Sequence, residues 1–192
     1  MKHASPLPLL LLAAAILLRA AAPAPAADLK EKEIGPKAKG KLYQWHAEDG
    51  LVYHYRVPKK YDPDEGANLT VLLHGSNLTH GWGFANHQWK TFRPDDIVVS
   101  PDGTTSNGRG GFNFLGERKD AKRLHTFLEE LKGVLKIKRT YLYGHSQGSF
   151  FALYYAGEYP EDVDGVVAHA SGVWTWTQQG PKGHHQAIVL MH

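Results

Sequence analysis

The chain has 192 residues, long enough for one domain with a core of its own, and 42% of them are apolar. Its formal charge of +3 comes without any basic stripe interleaved with aromatic residues, so no nucleic-acid partner is indicated. With no cysteine there are no disulfide staples, and stability must come from packing.

In chain order, "MKHASPLPLLLLAAAILLRAAAPAPAA" opens with a short positive region and a 12-residue apolar run from Leu7 to Leu18. The roughly 20 residues that span a bilayer are not reached, so no stable membrane anchor is expected. Ala24-Pro25-Ala26 fits a signal peptidase site, and residues 1–26 read as a cleaved signal peptide on a secreted or periplasmic protein. Cleavage removes Lys2 and Arg19, so the mature charge falls to +1. Residues 27–40, charged and punctuated by glycine and proline, read as a flexible leader before a domain over 41–192.

"KLYQWH" and "LVYHYRVP" alternate with a period of two around "AEDG", which predicts an antiparallel hairpin. "NLTVLLHG" and "DDIVVSPDG" are continuous apolar runs of the kind buried in a parallel sheet. "RKDAKRLHTFLEELKGVL" places apolar residues at 121, 124, 127, 128, 131, 134 and 135, one face of a helix. "TYLYG" is a third buried strand, and a helix follows it. "VDGVVAHASG" and "QAIVLMH" are a fourth and a fifth. Strand and helix in alternation predict an α/β sheet with right-handed crossovers.

Between the third buried strand and its helix stands Gly144-His145-Ser146-Gln147-Gly148. In that context G-x-S-x-G reads as a serine nucleophile on a strained turn, with small residues two positions away on either side so that strand and helix can approach. A dinucleotide fingerprint and a P-loop each need a different glycine pattern. His74-Gly75 ends the "VLLHGSN" strand at the carboxyl edge, where open α/β sheets place ligands. The backbone N–H groups of Ser76 and Gln147 are the candidate oxyanion donors.

With these motifs the chain resembles the α/β-hydrolase family from about Leu51 to His192, and is similar to secreted esterases of the polyhydroxybutyrate-depolymerase and feruloyl-esterase type. "YHYRVPKKYDP", "LTVLLHGSN", "IVVSPDG", "YLYGHSQGSFFALYYAGEYPEDVDGVVAHASG" and "AIVLMH" carry the resemblance. It implies a three-layer, mostly parallel sheet with an N-terminal antiparallel hairpin. It also implies an acid on the loop after "AIVLMH" and a histidine later still. Both positions fall beyond His192, so the expectation is an incomplete hydrolase whose C-terminal part is missing. Without its base such a chain should show at most trace activity, on the order of 10⁴–10⁶ below an intact triad.

Upstream substitutes read differently. Asp162 and Asp164 are expected to be solvent-facing loop carboxylates. His145 should point away from the hydroxyl and pack beside the sheet, and His169 is expected to be a satisfied core histidine. His184 and His185 fall in a loop, and His192 on a strand edge. His74, His80 and His87 lack zinc-protease spacing, so no metal is expected. Asn68-Leu69-Thr70 and Asn77-Leu78-Thr79 match glycosylation acceptors, but their placement on a buried strand and the oxyanion loop makes them coincidental. Trp82, Trp89, Trp174 and Trp176 either line an acyl or aryl pocket or shield the sheet edge.

The expected activity is hydrolysis of a small-molecule or polymeric carboxylic ester through an acyl-enzyme on Ser146, with no cofactor. A prolyl-oligopeptidase-like serine peptidase and a non-catalytic hydrolase-fold binding protein are the alternatives.

Overall fold

The computed structural model describes residues 30–31, 43–46, 52–86, 93–115, 117–171 and 187–191. Among them ten strands and three helices occur in the order β1 (Lys30–Glu31), β2 (Tyr43–His46), β3 (Val52–Arg56), β4 (Ala67–Leu73), α1 (His80–Asn86), β5 (Ile97–Pro101), β6 (Thr105–Ser106), β7 (Phe112–Asn113), α2 (Glu117–Val134), β8 (Ile137–His145), α3 (Gln147–Glu158), β9 (Gly165–His169) and β10 (Ala187–Met191). A 3₁₀ turn, Pro160–Asp162, connects α3 to β9.

Eight strands form one sheet in the order β1-β2-β3-β5-β4-β8-β9-β10. The expected hairpin is present, with Tyr43 opposite Tyr55 and His46 opposite Val52. Its second strand joins β5 antiparallel, and from β5 to β10 every pairing is parallel. β1 lies within the stretch read as a leader and pairs with β2.

Period-two alternation on β4 divides the core. Leu69, Val71 and Leu73 join a main cluster with Leu124, Phe127, Leu128 and Leu131 of α2 and Phe151, Ala152 and Tyr155 of α3. Leu72 and Val98 face the opposite side, where Phe84 of α1 and Tyr143 cover them. Tyr53 stacks on Phe127 with ring centroids 3.8 Å apart, tying the hairpin to α2. The helix pattern holds at Ala121, Leu124, Phe127, Leu128 and Leu131, but Val134 ends the helix exposed.

Besides β1, helix α1 and the hairpin of β6 and β7 have no counterpart in the sequence pattern. Helix α1 contains two glycines, and a Cβ at Gly83 would press on Leu72 and Ser100, so the small residue is what lets the helix lie against β4 and β5. The hairpin of β6 and β7 consists of two-residue strands, too short to show any alternation.

Candidate active site

β8 and β4 run parallel with Leu73 opposite Gly144, which brings the loop after β4 beside the turn after β8. Ser146 occupies that turn with φ 51° and ψ −117°, a left-handed conformation unusual for a residue with a side chain. Its neighbours explain how the turn closes. A Cβ at Gly144 would collide with the Gly148 carbonyl oxygen, and one at Gly148 with the Leu73 carbonyl oxygen. Strand, turn and helix meet backbone to backbone.

The turn is fastened to β9. Ser146 N–H donates to the His169 carbonyl oxygen at 2.9 Å, and the Ser149 hydroxyl donates to the same oxygen at 2.6 Å. Gln147 opens α3, so its N–H has no carbonyl four residues back. Its side chain is committed elsewhere, with Oε1 accepting from Phe114 N–H at 2.9 Å. Ser76 lies exposed in the turn after β4. A Cβ placed on the preceding Gly75 would be 3.2 Å from the His145 ring, a measure of how closely the two loops approach.

His145 is turned to the side of the sheet, as its position beside a tight turn requires. It stacks on Trp82 with centroids 4.7 Å apart, and its Nδ1 lies 3.0 Å from Nδ1 of His169. One proton is shared between those nitrogens. Burial and the neighbouring His169 both lower the His145 pKa. His169 is half-buried rather than enclosed, and its ring partner is His145. Neither ring is hydrogen-bonded to the Ser146 hydroxyl, nor is any other histidine among the described residues.

The histidine of the His-Gly step is fully buried. Gly103 N–H donates to His74 Nε2 at 3.2 Å, so the ring proton sits on Nδ1 and goes to the Gly75 carbonyl at 2.7 Å. Burial lowers the His74 pKa, and the ring is the neutral spacer that shapes the loop. Asp102, buried alongside, accepts both His80 N–H and His80 Nδ1–H at 2.7 Å, fixing the start of α1. His74 and His80 therefore serve loop geometry.

Asp162 corrects an expectation. It is 5% exposed, not solvent-facing, because His125 Nδ1, the Lys132 ammonium and the Tyr155 hydroxyl all donate to its carboxylate at 2.7 Å. Burial pushes its pKa up, but the three donors outweigh that and the net shift is downward. Asp164 is exposed as expected, and its carboxylate accepts Thr140 N–H at 2.8 Å. His125, Glu129 and Asp162 also offer ligand atoms within 4.8 Å of one another, the donor set of a cation site. Lys132 already supplies a cation there, 2.8 Å from Glu129 and 2.7 Å from Asp162. The pairing of His125 with Glu129 four residues on was the available signal for this cluster. His87, Trp89, Trp174, Trp176, His184, His185 and His192 lie outside the described residues.

A family model described as "alpha/beta hydrolase fold" matches residues 117–187. A 1-acylglycerol-3-phosphate O-acyltransferase from Arabidopsis thaliana is 26% identical over 139 residues, which is 72% of this chain and 33% of that protein. Among solved structures, a thermostable esterase superposes with a TM-score of 0.56 at 19% identity, over 79% of this chain and 45% of its own. An acetyl xylan esterase from Aspergillus awamori gives 0.53 at 16%, over 67% and 51%. The chain thus spans about a third of the curated relative and about half or less of these two structures.

Proposed function

We propose that this chain, which has the α/β-hydrolase fold, carries the nucleophile and oxyanion donors of a serine hydrolase that cleaves carboxylic esters. The carrying observation is Ser146, held left-handed between two glycines that admit no Cβ, at the carboxyl edge of a parallel sheet. Left-handed side-chain conformations cost roughly 1–3 kcal/mol and cluster at functional sites, and here the strained residue carries a hydroxyl on the turn between strand and helix. In this reading Ser146 Oγ attacks the ester carbonyl, its proton passes to a base and the alcohol leaves. Water then releases the acid from the acyl-enzyme. The N–H groups of Ser76 and Gln147 receive the tetrahedral oxyanion. The substrate is a small-molecule or polymeric ester, and no cofactor takes part.

A second reading shares every step up to the acyl-enzyme. The similarity to an O-acyltransferase over most of the chain favours an alcohol, in place of water, as the group that accepts the acyl chain. In a full-length form, a fluorophosphonate probe should label Ser146, and Ser146→Ala should abolish the labelling. Product analysis with p-nitrophenyl acyl esters, with and without glycerol, separates hydrolysis from transfer. Labelling that persists in Ser146→Ala, or preferential turnover of a prolyl peptide, would sink the ester reading.

Export belongs to the same proposal. The apolar run and Ala24-Pro25-Ala26 direct secretion with a mature N-terminus near Ala27. N-terminal sequencing of the exported protein checks this, and a membrane-bound form that retains Met1 would refute it.

A further inference from the structure

The loop that carries Ser76 is held from outside. Its next residue, Asn77, is left-handed at φ 60°, and its N–H and side-chain carbonyl find their partners on the hairpin of β6 and β7. Asn77 N–H donates to Asn113 Oδ1 at 3.1 Å. The Asn77 side-chain carbonyl accepts from Asn113 Nδ2 at 3.2 Å and from Asn107 Nδ2 at 3.1 Å. Asn113 is buried, so its carboxamide is enclosed against the loop. Phe112 N–H donates to the Leu78 carbonyl at 2.8 Å, and a Cβ at Gly111 would collide with the Asn77 carbonyl oxygen. One residue beyond Asn113, Phe114 N–H holds the Gln147 side chain at 2.9 Å.

Residues 107–114 therefore grip both loops whose backbone N–H groups were assigned to the oxyanion. We propose that this segment is a brace that sets the spacing of the Ser76 and Gln147 donors, with Asn113 as its positioning residue. The inference rests on the acyl-enzyme reading of Ser146. Its physical basis is the steep dependence of oxyanion stabilisation on geometry, since a displacement of about 1 Å can cost on the order of a hundredfold in rate. The residue type follows as well. One end of the Asn113 side chain must accept from Asn77 N–H while the other donates to Asn77 Oδ1. A carboxylate can only accept, and it would place negative charge beside the developing oxyanion.

Two measurements on the 192-residue chain test the brace. The first is amide hydrogen exchange in the free protein. Asn77 N–H should exchange about tenfold faster in Asn113→Ala, equivalent to the loss of one hydrogen bond. In Asn107→Ala, an exposed-loop change that leaves the buried amide in place, the increase should be smaller. The second is affinity for phenylboronic acid. Its adduct forms an O–B bond to Ser146, makes boron a tetrahedral anion and releases the hydroxyl proton to solvent, so equilibrium binding needs no general base. Asn113→Ala should weaken this binding about ten- to a hundredfold, and Asn113→Asp at least as much at neutral pH. Unchanged Asn77 exchange in Asn113→Ala, or boronate affinity equal to that of the parent chain, overturns the brace alone. A parent chain that takes no boronate on Ser146 overturns the nucleophile, and the brace's catalytic role with it.

Discussion

Ser146 combines a strained backbone with the hydroxyl proposed as the nucleophile. Its φ of 51° is a conformation that glycine adopts without penalty and a side chain adopts at a cost of roughly 1–2 kcal/mol. Ser146→Gly should therefore raise the stability of the fold by about 1 kcal/mol while removing the hydroxyl, whereas Ser146→Ala keeps the Cβ and should leave stability near that of the parent. Urea denaturation of the three proteins decides it, and a glycine variant no more stable than the alanine variant refutes the strain. At Gly148 the sign reverses. A methyl there meets the Leu73 carbonyl oxygen, a backbone atom that cannot step aside without moving β4. Gly148→Ala should cost about 2 kcal/mol or more. This much was readable in advance, because G-x-S-x-G between a buried strand and a helix encodes its own geometry in the spacing of small residues. The burial of Asp162 was not readable, because its three partners lie 37, 30 and 7 positions away and a carboxylate in "YPEDVDG" looks like any loop acid.

Asp162 acts between elements. It takes one donor from each end of a stretch of α2, His125 and Lys132, and one from Tyr155 of α3, so a single carboxylate fastens both helices to the 3₁₀ turn that leads into β9. Lys132 is answered by both Glu129 and Asp162, whose bonds outweigh the effect of burial and raise its pKa. Burial raises the pKa of the Tyr155 hydroxyl too, keeping it a donor at every ordinary pH. Solvent reaches Lys132 and His125, which moderates the effect of any loss. Asp162→Asn should cost about 1–3 kcal/mol, and Asp162→Asn with Lys132→Met should cost less than the sum of the two single changes. Additive costs in denaturant titrations would show that the pair is not coupled. The long elements, α2 and β4 among them, announce themselves by period. β6 and β7 do not, because two residues hold one alternation and their pairing depends on contacts with the Asn77 loop. α1 is similarly hidden, since its glycines weaken helix propensity and only packing on Leu72 and Ser100 restores it.

At the scale of the whole molecule, the parallel sheet was legible because its central strands are buried on both faces and must read as continuous apolar runs. "LTVLL" and "IVVS" can be little else. What the pattern leaves unsaid is how the carboxyl edge of that sheet is filled, and the fold fills it with imidazoles that stay neutral. Burial lowers the pKa of His74. Burial and His169 lower that of His145. In the unfolded chain each ring takes up its proton near pH 6.5, while in the folded chain it does so only at lower pH. Between those values the unfolded state holds more protons, so the stabilising contribution is complete above about pH 6.5 and is lost progressively as the pH falls below it. Asp162, also lowered, contributes in the same direction at still lower pH, being fully effective only above about pH 4. Lys132, raised, contributes fully below about pH 10.5 and is lost as the pH rises through its folded value. Stability should accordingly be level from about pH 7 to 10 and fall on the acid side before any carboxylate titrates. The melting temperature should be lower at pH 5 than at pH 7. His145→Gln, which removes the titrating ring beside His169 but leaves His74, should make that acid limb less steep and leave the region above pH 7 unchanged in slope. Thermal melts at half-unit pH intervals make the comparison. A parent protein equally stable at pH 5 and pH 7, or a variant that falls as steeply as the parent, would show that the lowered pKa of His145 is not what governs the acid limb.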